Sequence, residues 1–493
     1  MGRLWTAWIG LALGALGAAG CEPDTGLLLP ARESGNTIPD GFVLVARFAH
    51  ITDTHVVDTL SPARFAQAAA FTQSAWRPYE AYSTQLVDGI LRTVNRIHAS
   101  GRTVDFLVHT GDTCDNAQTN ELRWFLALVE GEPVDPLSGP DDRPPDARPE
   151  PSRDPYAAFE AQGLYQQGRH GDQPSIPWYT VFGNHEVYSI GVFPIFEGMD
   201  GHRTAPLPAD GRPGWLLPVA LDPVAAVAYG NVTPAEPGPP VLFNPPRPVA
   251  PNLARAYFSK AEYIAALFDT TTQPPGHGFL DPGDARGWTS VRPVPGLCLI
   301  RLDTTDRTQK IPGAFYSEGA LSRAQLEFLR TELDAAATRG ELVVVMSHHP
   351  SEALVPVSGS EVAPDELRAL LNQYTNVILH IAGHMHRNRV TDRGGYVEIE
   401  TCSTLDLPQE GRLIEVWRNP ADGRVGVHYE MFSHLDDTLP ALGDDPLRRL
   451  REQARAIALG DKAAPERQKR YDPSGADPYG EASDREGFIA LRR

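Results

Sequence analysis

The stretch Val377-Ile378-Leu379-His380-Ile381-Ala382-Gly383-His384-Met385-His386 joins an apolar run, which reads as a buried strand, to a glycine and two imidazoles set one residue apart. The same grammar recurs four times upstream. Residues 47–52 lead into Asp53-Thr54-His55, residues 106–110 into Gly111-Asp112, residues 178–182 into Gly183-Asn184-His185-Glu186, and residues 342–346 into His348-His349-Pro350. Strands that each end in a polar loop are how an α/β sandwich builds a site at one edge. The five loops together supply carboxylates, imidazoles and an amide oxygen, the donors that a pair of divalent cations needs.

In order and spacing these five blocks resemble the calcineurin-like metallophosphoesterase family, over about residues 48–431. The resemblance implies an α/β fold, a four-layer αββα sandwich of two mixed sheets with long loop insertions. It further implies a two-cation site that hydrolyses phosphate mono- or diesters through water activated between the ions. Carried over residue by residue, Asp53, His55 and His386 would hold one ion, Asn184, His348 and His384 the other, and Asp112 would bridge them. The chemistry suits these residue types: two cations about 3.5–4 Å apart can grip both the attacking and the leaving oxygen of an in-line displacement. Donors of this kind, with no thiolate, suit manganese, iron, zinc, cobalt or nickel. Purple acid phosphatases carry a tyrosine three residues after the bridging aspartate; Asp115 stands there in this chain, as a turn or supporting carboxylate.

His185 adjoins the ligand Asn184 without being needed for coordination. The resemblance makes it the catalytic group that protonates or stabilises the leaving oxygen, and the alternative is a histidine that orients Asn184 or a water. The family pattern selects His348 over His349, which would face the substrate or cap the loop. His50, His109 and His380 lie inside strand-like runs and read as structural. Arg387 and Asn388, just past the last ligand, could touch a phosphate, with an exposed loop as the plainer reading.

At the amino terminus Arg3 precedes an apolar run over residues 4–19, short of the roughly 20 residues of a membrane span, and the run ends in Ala18-Ala19-Gly20-Cys21. This is a secretory signal with a lipobox-like end, similar to bacterial lipoprotein signals in which Cys21 becomes the lipidated first residue. The expectation is an exported enzyme anchored to a membrane of the cell envelope, with secreted or periplasmic protein as the alternative. Of the 4 cysteines, Cys114, Cys298 and Cys402 would remain. Burial accounts for them most simply, and a bond between Cys298 and Cys402 stays open.

With 63 acidic against 44 basic residues the formal charge is −19, a surface that repels duplex nucleic acid and penalises small phosphate esters less, so a small phosphate ester is the expected partner. The expected organisation is a signal over residues 1–21, a tether over 22–40, a catalytic domain over 41–435 with insertions at about 131–177 and 201–287, and a peripheral charged segment over 436–493. A helix carries Leu86, Ile90, Leu91, Val94 and Ile97 and stops at Gly101. Another opens on a capping box with Ser322 and Gln325, stapled by Leu321 and Leu326, and stops at Gly340. Residues 396–400, 412–417 and 425–431 read as strands of the second sheet. The competing function class is a non-catalytic envelope lipoprotein that keeps the fold for binding; complete ligand blocks argue against it. A metal-dependent hydrolase of non-phosphate esters would keep the same ligands. Nothing in the sequence names the metal, the substrate or the oligomeric state.

Overall fold

A computed structural model describes residues 34–491 apart from 36, 62–75, 140–149, 171–173, 198–202, 205–251, 309–315, 462–463 and 466–473. The signal, Cys21 and most of the tether lie outside the described residues, as does much of the second insertion. In chain order the strands of two large sheets are β1 (Ser34–Gly35), β2 (Val43–Ile51), β3 (Phe106–His109), β4 (Trp178–Thr180), β5 (Thr289–Val294), β6 (Leu297–Arg301), β7 (Leu342–Met346), β8 (Val377–Ala382), β9 (Arg389–Asp392), β10 (Val397–Glu400), β11 (Glu410–Arg418), β12 (Val425–Ser433) and β13 (Glu486–Leu491). Among the described residues the longer helices that flank them are α1 (Ser83–Ala99), α2 (Thr119–Glu130), α3 (Lys260–Phe268), α4 (Arg323–Arg339), α5 (Pro364–Asn372) and α6 (Arg448–Gly460).

The first sheet has 7 strands in the order β1-β13-β12-β11-β2-β3-β4, and the second has 6 in the order β5-β6-β7-β8-β10-β9. Strands β2, β3 and β4 run parallel, as do β6, β7, β8 and β10, and the outer pairings are antiparallel, so both sheets are mixed. Alternation along each strand sorts its residues to two apolar layers. Leu297 and Leu299 join Phe48, Phe106, Val344 and Ile381 between the sheets, while Cys298 and Ile300 face outward against Leu329 and Leu333 of α4 and Leu370 of α5. On the outer face of the first sheet, Ile51, Leu107 and Trp178 pack with Leu86, Ile90 and Val94 of α1 and Leu122 and Phe125 of α2. Strands covered on both faces are apolar at successive positions rather than alternately polar, which is why these runs stood out. The molecule is the four-layer αββα sandwich.

The expectations for the late strands, the segment after 436 and the tether need correction. Residues 397–400 do join the second sheet, but 410–418 and 425–433 return to the first, where β11 pairs antiparallel with β2 and places Ile414 opposite Phe48. The segment from 436 onward is not peripheral. Its charge hides an apolar stripe, Leu447, Leu450, Ala454 and Ala458, that packs in the core around α1, and β13 adds a strand beside β12. The tether ends by pairing with the sheet, since Ser34–Gly35 bonds to β13. The first insertion also returns to the core, burying Phe159, Leu164, Tyr165 and Ile176.

At Ser322 the helix begins as expected and Leu321 and Leu326 are both buried, yet the capping box does not form. Gln325 instead exchanges hydrogen bonds with the backbone of Asp303, accepting from its N–H at 2.9 Å and donating to its carbonyl at 2.8 Å. Cys114, Cys298 and Cys402 are free and buried. Among the described residues no helix is long and apolar enough to cross a membrane.

Candidate metal centre

Parallel strands deliver their C-terminal ends to one edge, and the five polar blocks follow β2, β3, β4, β7 and β8 there. The chain turns sharply at each end. Asp53, His55, Asp112, His384 and His386 all have positive φ, between 42° and 65°, a conformation that non-glycine residues adopt rarely and that clusters at functional sites. Two glycines let the loops touch. A Cβ on Gly183 would lie 2.1 Å from Asp112 Oδ1, and one on Gly383 would lie 2.3 Å from Asp53 Oδ2.

Glu186 holds two of these loops together. Its carboxylate accepts from the N–H of Gly183 (2.7 Å) and Asp112 (2.8 Å) on one oxygen, and from the N–H of Thr113 (2.7 Å) and Cys114 (3.2 Å) and the Thr113 hydroxyl (2.7 Å) on the other. Burial, then the neighbouring Asp112 charge, raise its pKa, and the donors oppose that rise. The backbone N–H of His185 in turn donates to Asp112 Oδ1 at 2.8 Å.

The expected ligands form two groups. In the first, His386 Nε2 lies 3.1 Å from Asp53 Oδ1 and 3.2 Å from His55 Nε2. In the second, His348 Nε2 lies 2.9 Å from Asn184 Oδ1 and 3.2 Å from Asp112 Oδ2, with the His384 ring 5.1 Å away, centre to centre. Asp112 Oδ2 is also 3.9 Å from His55 Nε2, so one carboxylate faces both groups. His185 joins His55 and Asp112, their ligand-type atoms lying within 4.8 Å of one another. All of these residues are buried except His384, which is partly exposed at the edge.

What surrounds each ring decides which nitrogen faces inward. His348 donates from Nδ1 to the Thr110 carbonyl at 2.7 Å, His185 from Nδ1 to the Asp115 carbonyl at 2.6 Å, and His386 Nδ1 bonds Asp406 Oδ2 at 2.7 Å. His55 Nδ1 lies 3.1 Å from Asp115 Oδ1. Asn184 spends its amide N–H on the Gly191 carbonyl at 3.0 Å, which leaves its oxygen pointing in. Partners of this kind fix the tautomer and aim Nε2.

Lone pairs therefore converge on lone pairs: two imidazole nitrogens and a carboxylate in one group, an imidazole, an amide oxygen and a carboxylate in the other. Such clusters repel unless a positive charge lies among them. The titration of the rings shows the same demand. Burial pulls His348 and His386 down, but Asp112 outweighs it for the first and Asp53 with Asp406 for the second, so both are held up at about 9. Burial pushes Asp53 and Asp112 up, and the imidazoles outweigh it, holding Asp53 below and Asp112 well below the ordinary carboxylate range. The residues present thus fit two cations sharing Asp112.

Neighbouring histidines are spent elsewhere. His349 bonds the Thr304 hydroxyl through Nδ1 (2.8 Å) and the Ser317 carbonyl through Nε2 (3.0 Å), so it braces its loop, although it stands close enough to His348 and His384 to complete a third group of ligand type. His50 bonds Thr110 and Thr401, His109 bonds Thr54 and the Gly111 N–H, and His380 bonds Ser347 and Glu398. Arg387 and Asn388, read above as exposed loop residues, are buried: Arg387 pairs with Glu400 and Glu352, and Asn388 accepts from the Cys402 N–H. The supporting roles of Glu186, Arg77 and Asp406 went unread in the sequence. Glu186 sits inside a quoted block, while Arg77 and Asp406 follow no spacing that could have found them.

Residues 46–215 match the sequence profile of the calcineurin-like phosphoesterases. A search of curated proteins finds no match. Among solved structures the chain is similar to a dimetal phosphatase from Danio rerio at 14% identity and a TM-score of 0.42, over 80% of this chain and 98% of that one. It is also similar to a putative 5'-nucleotidase from Staphylococcus aureus at 13% identity and a TM-score of 0.34, over 83% of this chain and 58% of that one. The profile spans the strands and loops that carry Asp53, His55, Asp112, Asn184 and His185, and the two remaining blocks fold onto the same edge.

Proposed function

We propose that this protein hydrolyses small phosphate mono- or diesters with two divalent cations, held by Asp53, His55 and His386 and by Asn184, His348 and His384, with Asp112 between them. The observation that carries the reading is the convergence of acceptor atoms in two groups that share the Asp112 carboxylate. When bound, the cations would supply Lewis acidity and a water acidic enough to attack phosphorus near neutral pH.

The chain's own residues do the rest. Asp112 sets the distance between the two groups, Thr110, Asp115 and Asp406 hold the rings in place, and the partly exposed His384 marks the side open to substrate. His185, anchored through Nδ1, turns Nε2 toward the Asp112 carboxylate at 4.0 Å, where it can pass a proton to the departing alkoxide.

The test pairs metal content with turnover. Purified protein is expected to bind two divalent ions per chain, to cleave chromogenic mono- or diesters with added manganese, zinc, nickel or cobalt, and to lose that activity on chelation. Asp112→Asn is expected to lower turnover by several orders of magnitude with the fold intact. Full activity in the chelated protein would overturn the reading, and ion binding without hydrolysis of any ester would favour the non-catalytic alternative.

A further inference from the structure

We propose that Arg77 is a positioning residue for the first cation: its guanidinium grips Asp115 and Asp406, the two carboxylates that face Nδ1 of His55 and His386, and so aims both Nε2 atoms at one ion. The inference rests on the reading above that Asp53, His55 and His386 share that ion.

Five separate parts of the chain meet here. Arg77 Nε donates to both oxygens of Asp406, at 2.8 and 2.9 Å, and Nη1 donates to Asp115 Oδ1 at 3.3 Å. Asp406 Oδ2 then meets His386 Nδ1 at 2.7 Å, and Asp115 Oδ1 lies 3.1 Å from His55 Nδ1. The Tyr79 hydroxyl adds a bond to Asp406 Oδ1 at 2.6 Å. The backbone on both sides is tied down. Arg77 N–H donates to Glu80 Oε2 at 3.0 Å, while the Ser403 hydroxyl accepts from Asp406 N–H and donates to the Asp53 carbonyl. Arg77 and Asp115 are fully buried and Asp406 nearly so.

A planar guanidinium can address two carboxylates at once with fixed directions, which an ammonium cannot. It also offsets two negative charges that would otherwise be buried beside the ligands. The second cation's residues are supported differently: His348 is turned by the Thr110 carbonyl and Asn184 by the Gly191 carbonyl, both backbone groups. Arg77 therefore bears on one ion and not on the other, and that asymmetry separates positioning from general support of the fold.

The experiment titrates the chelated full chain with manganese alone, reading stepwise affinity by calorimetry, pairing of the ions by electron paramagnetic resonance, and thermal stability of the metal-free chain. In Arg77→Met and in Asp406→Asn one ion is expected to bind about 10- to 100-fold more weakly while the other keeps its wild-type affinity, and the exchange-coupled spectrum is expected to give way to that of isolated ions. Arg77→Lys is expected to restore only part of the loss. Should Arg77→Met not fold, Asp406→Asn, which meets His386 Nδ1 directly, decides the matter. Equal weakening of both ions, or wild-type binding of both, overturns the proposal; a wild-type chain that binds no pair of ions overturns instead the reading on which it rests.

Discussion

His185 differs from the other inward-facing histidines in what its ring can still do. Its Nδ1 is committed to a backbone carbonyl at 2.6 Å, and its Nε2 stands 4.0 Å from Asp112, farther than the 3.2 Å of His348. A Cβ on Gly191 would come within 2.1 Å of that Nε2, so the ring is wedged in one orientation. His185→Ala is accordingly expected to leave metal content near wild type and to lower turnover by about 10²- to 10⁴-fold, least for esters whose leaving group needs no proton. Comparing activated aryl esters with alkyl esters checks this: an equal loss on both would reduce His185 to a positioning role. Asn184 and His185 could be read from their block because each has a chemical type suited to the task; Arg77 could not, since an arginine in a loop is ordinarily exposed and nothing nearby in sequence marks it as buried.

Loops between elements carry the geometry, and Glu186 shows how. Five donors from the loop after β3 and the loop after β4 end on its carboxylate, so the distance between Asp112 and Asn184 is held by one side chain outside both ligand groups. Glu186→Gln keeps the volume but turns an NH₂ toward N–H donors. It is expected to cost about 2 kcal/mol of stability and to weaken metal binding about 10- to 100-fold. Denaturant unfolding of the metal-free chain together with a metal titration measures both, and a wild-type titration would refute the link. Strand–loop blocks were legible because the strands, apart from the more polar residues 47–52, are largely apolar at successive positions and each loop is polar. The start of α4 was legible too, but not its chemistry: Ser322 and Gln325 have the spacing of a capping box, yet the backbone of Asp303, brought close only by folding, competes successfully for Gln325.

At the scale of the whole molecule, the parallel strands of both sheets bring loops from as far apart as Asp53 and His386 to one edge, so the site exists only in the folded sandwich. The proposed anchor is a separate matter that rests on residues 3–21 alone. With the lipobox-like junction at Cys21, we propose that the protein is exported, and it is then expected to carry acyl chains and to partition with membranes, more than one chain being needed for a firm hold. Cys21→Ser is expected to release the enzyme or to leave unprocessed precursor, with intrinsic activity unchanged. Mass spectrometry of the mature chain checks this, and a mature amino terminus elsewhere without lipid would replace anchoring by simple secretion. What the amino-acid sequence determined by itself is the fold class and a candidate donor set, because residue type, spacing and apolar runs are local properties. Tertiary structure decided the rest: that β11 and β12 return to the first sheet, that the charged segment after 436 contributes a core helix and a strand, that Arg387 serves Glu400 and Glu352, and that Arg77 joins Asp115 to Asp406. Each of these depends on which distant backbone or carboxylate lies within about 3 Å, the reach of a hydrogen bond, and no local pattern encodes that.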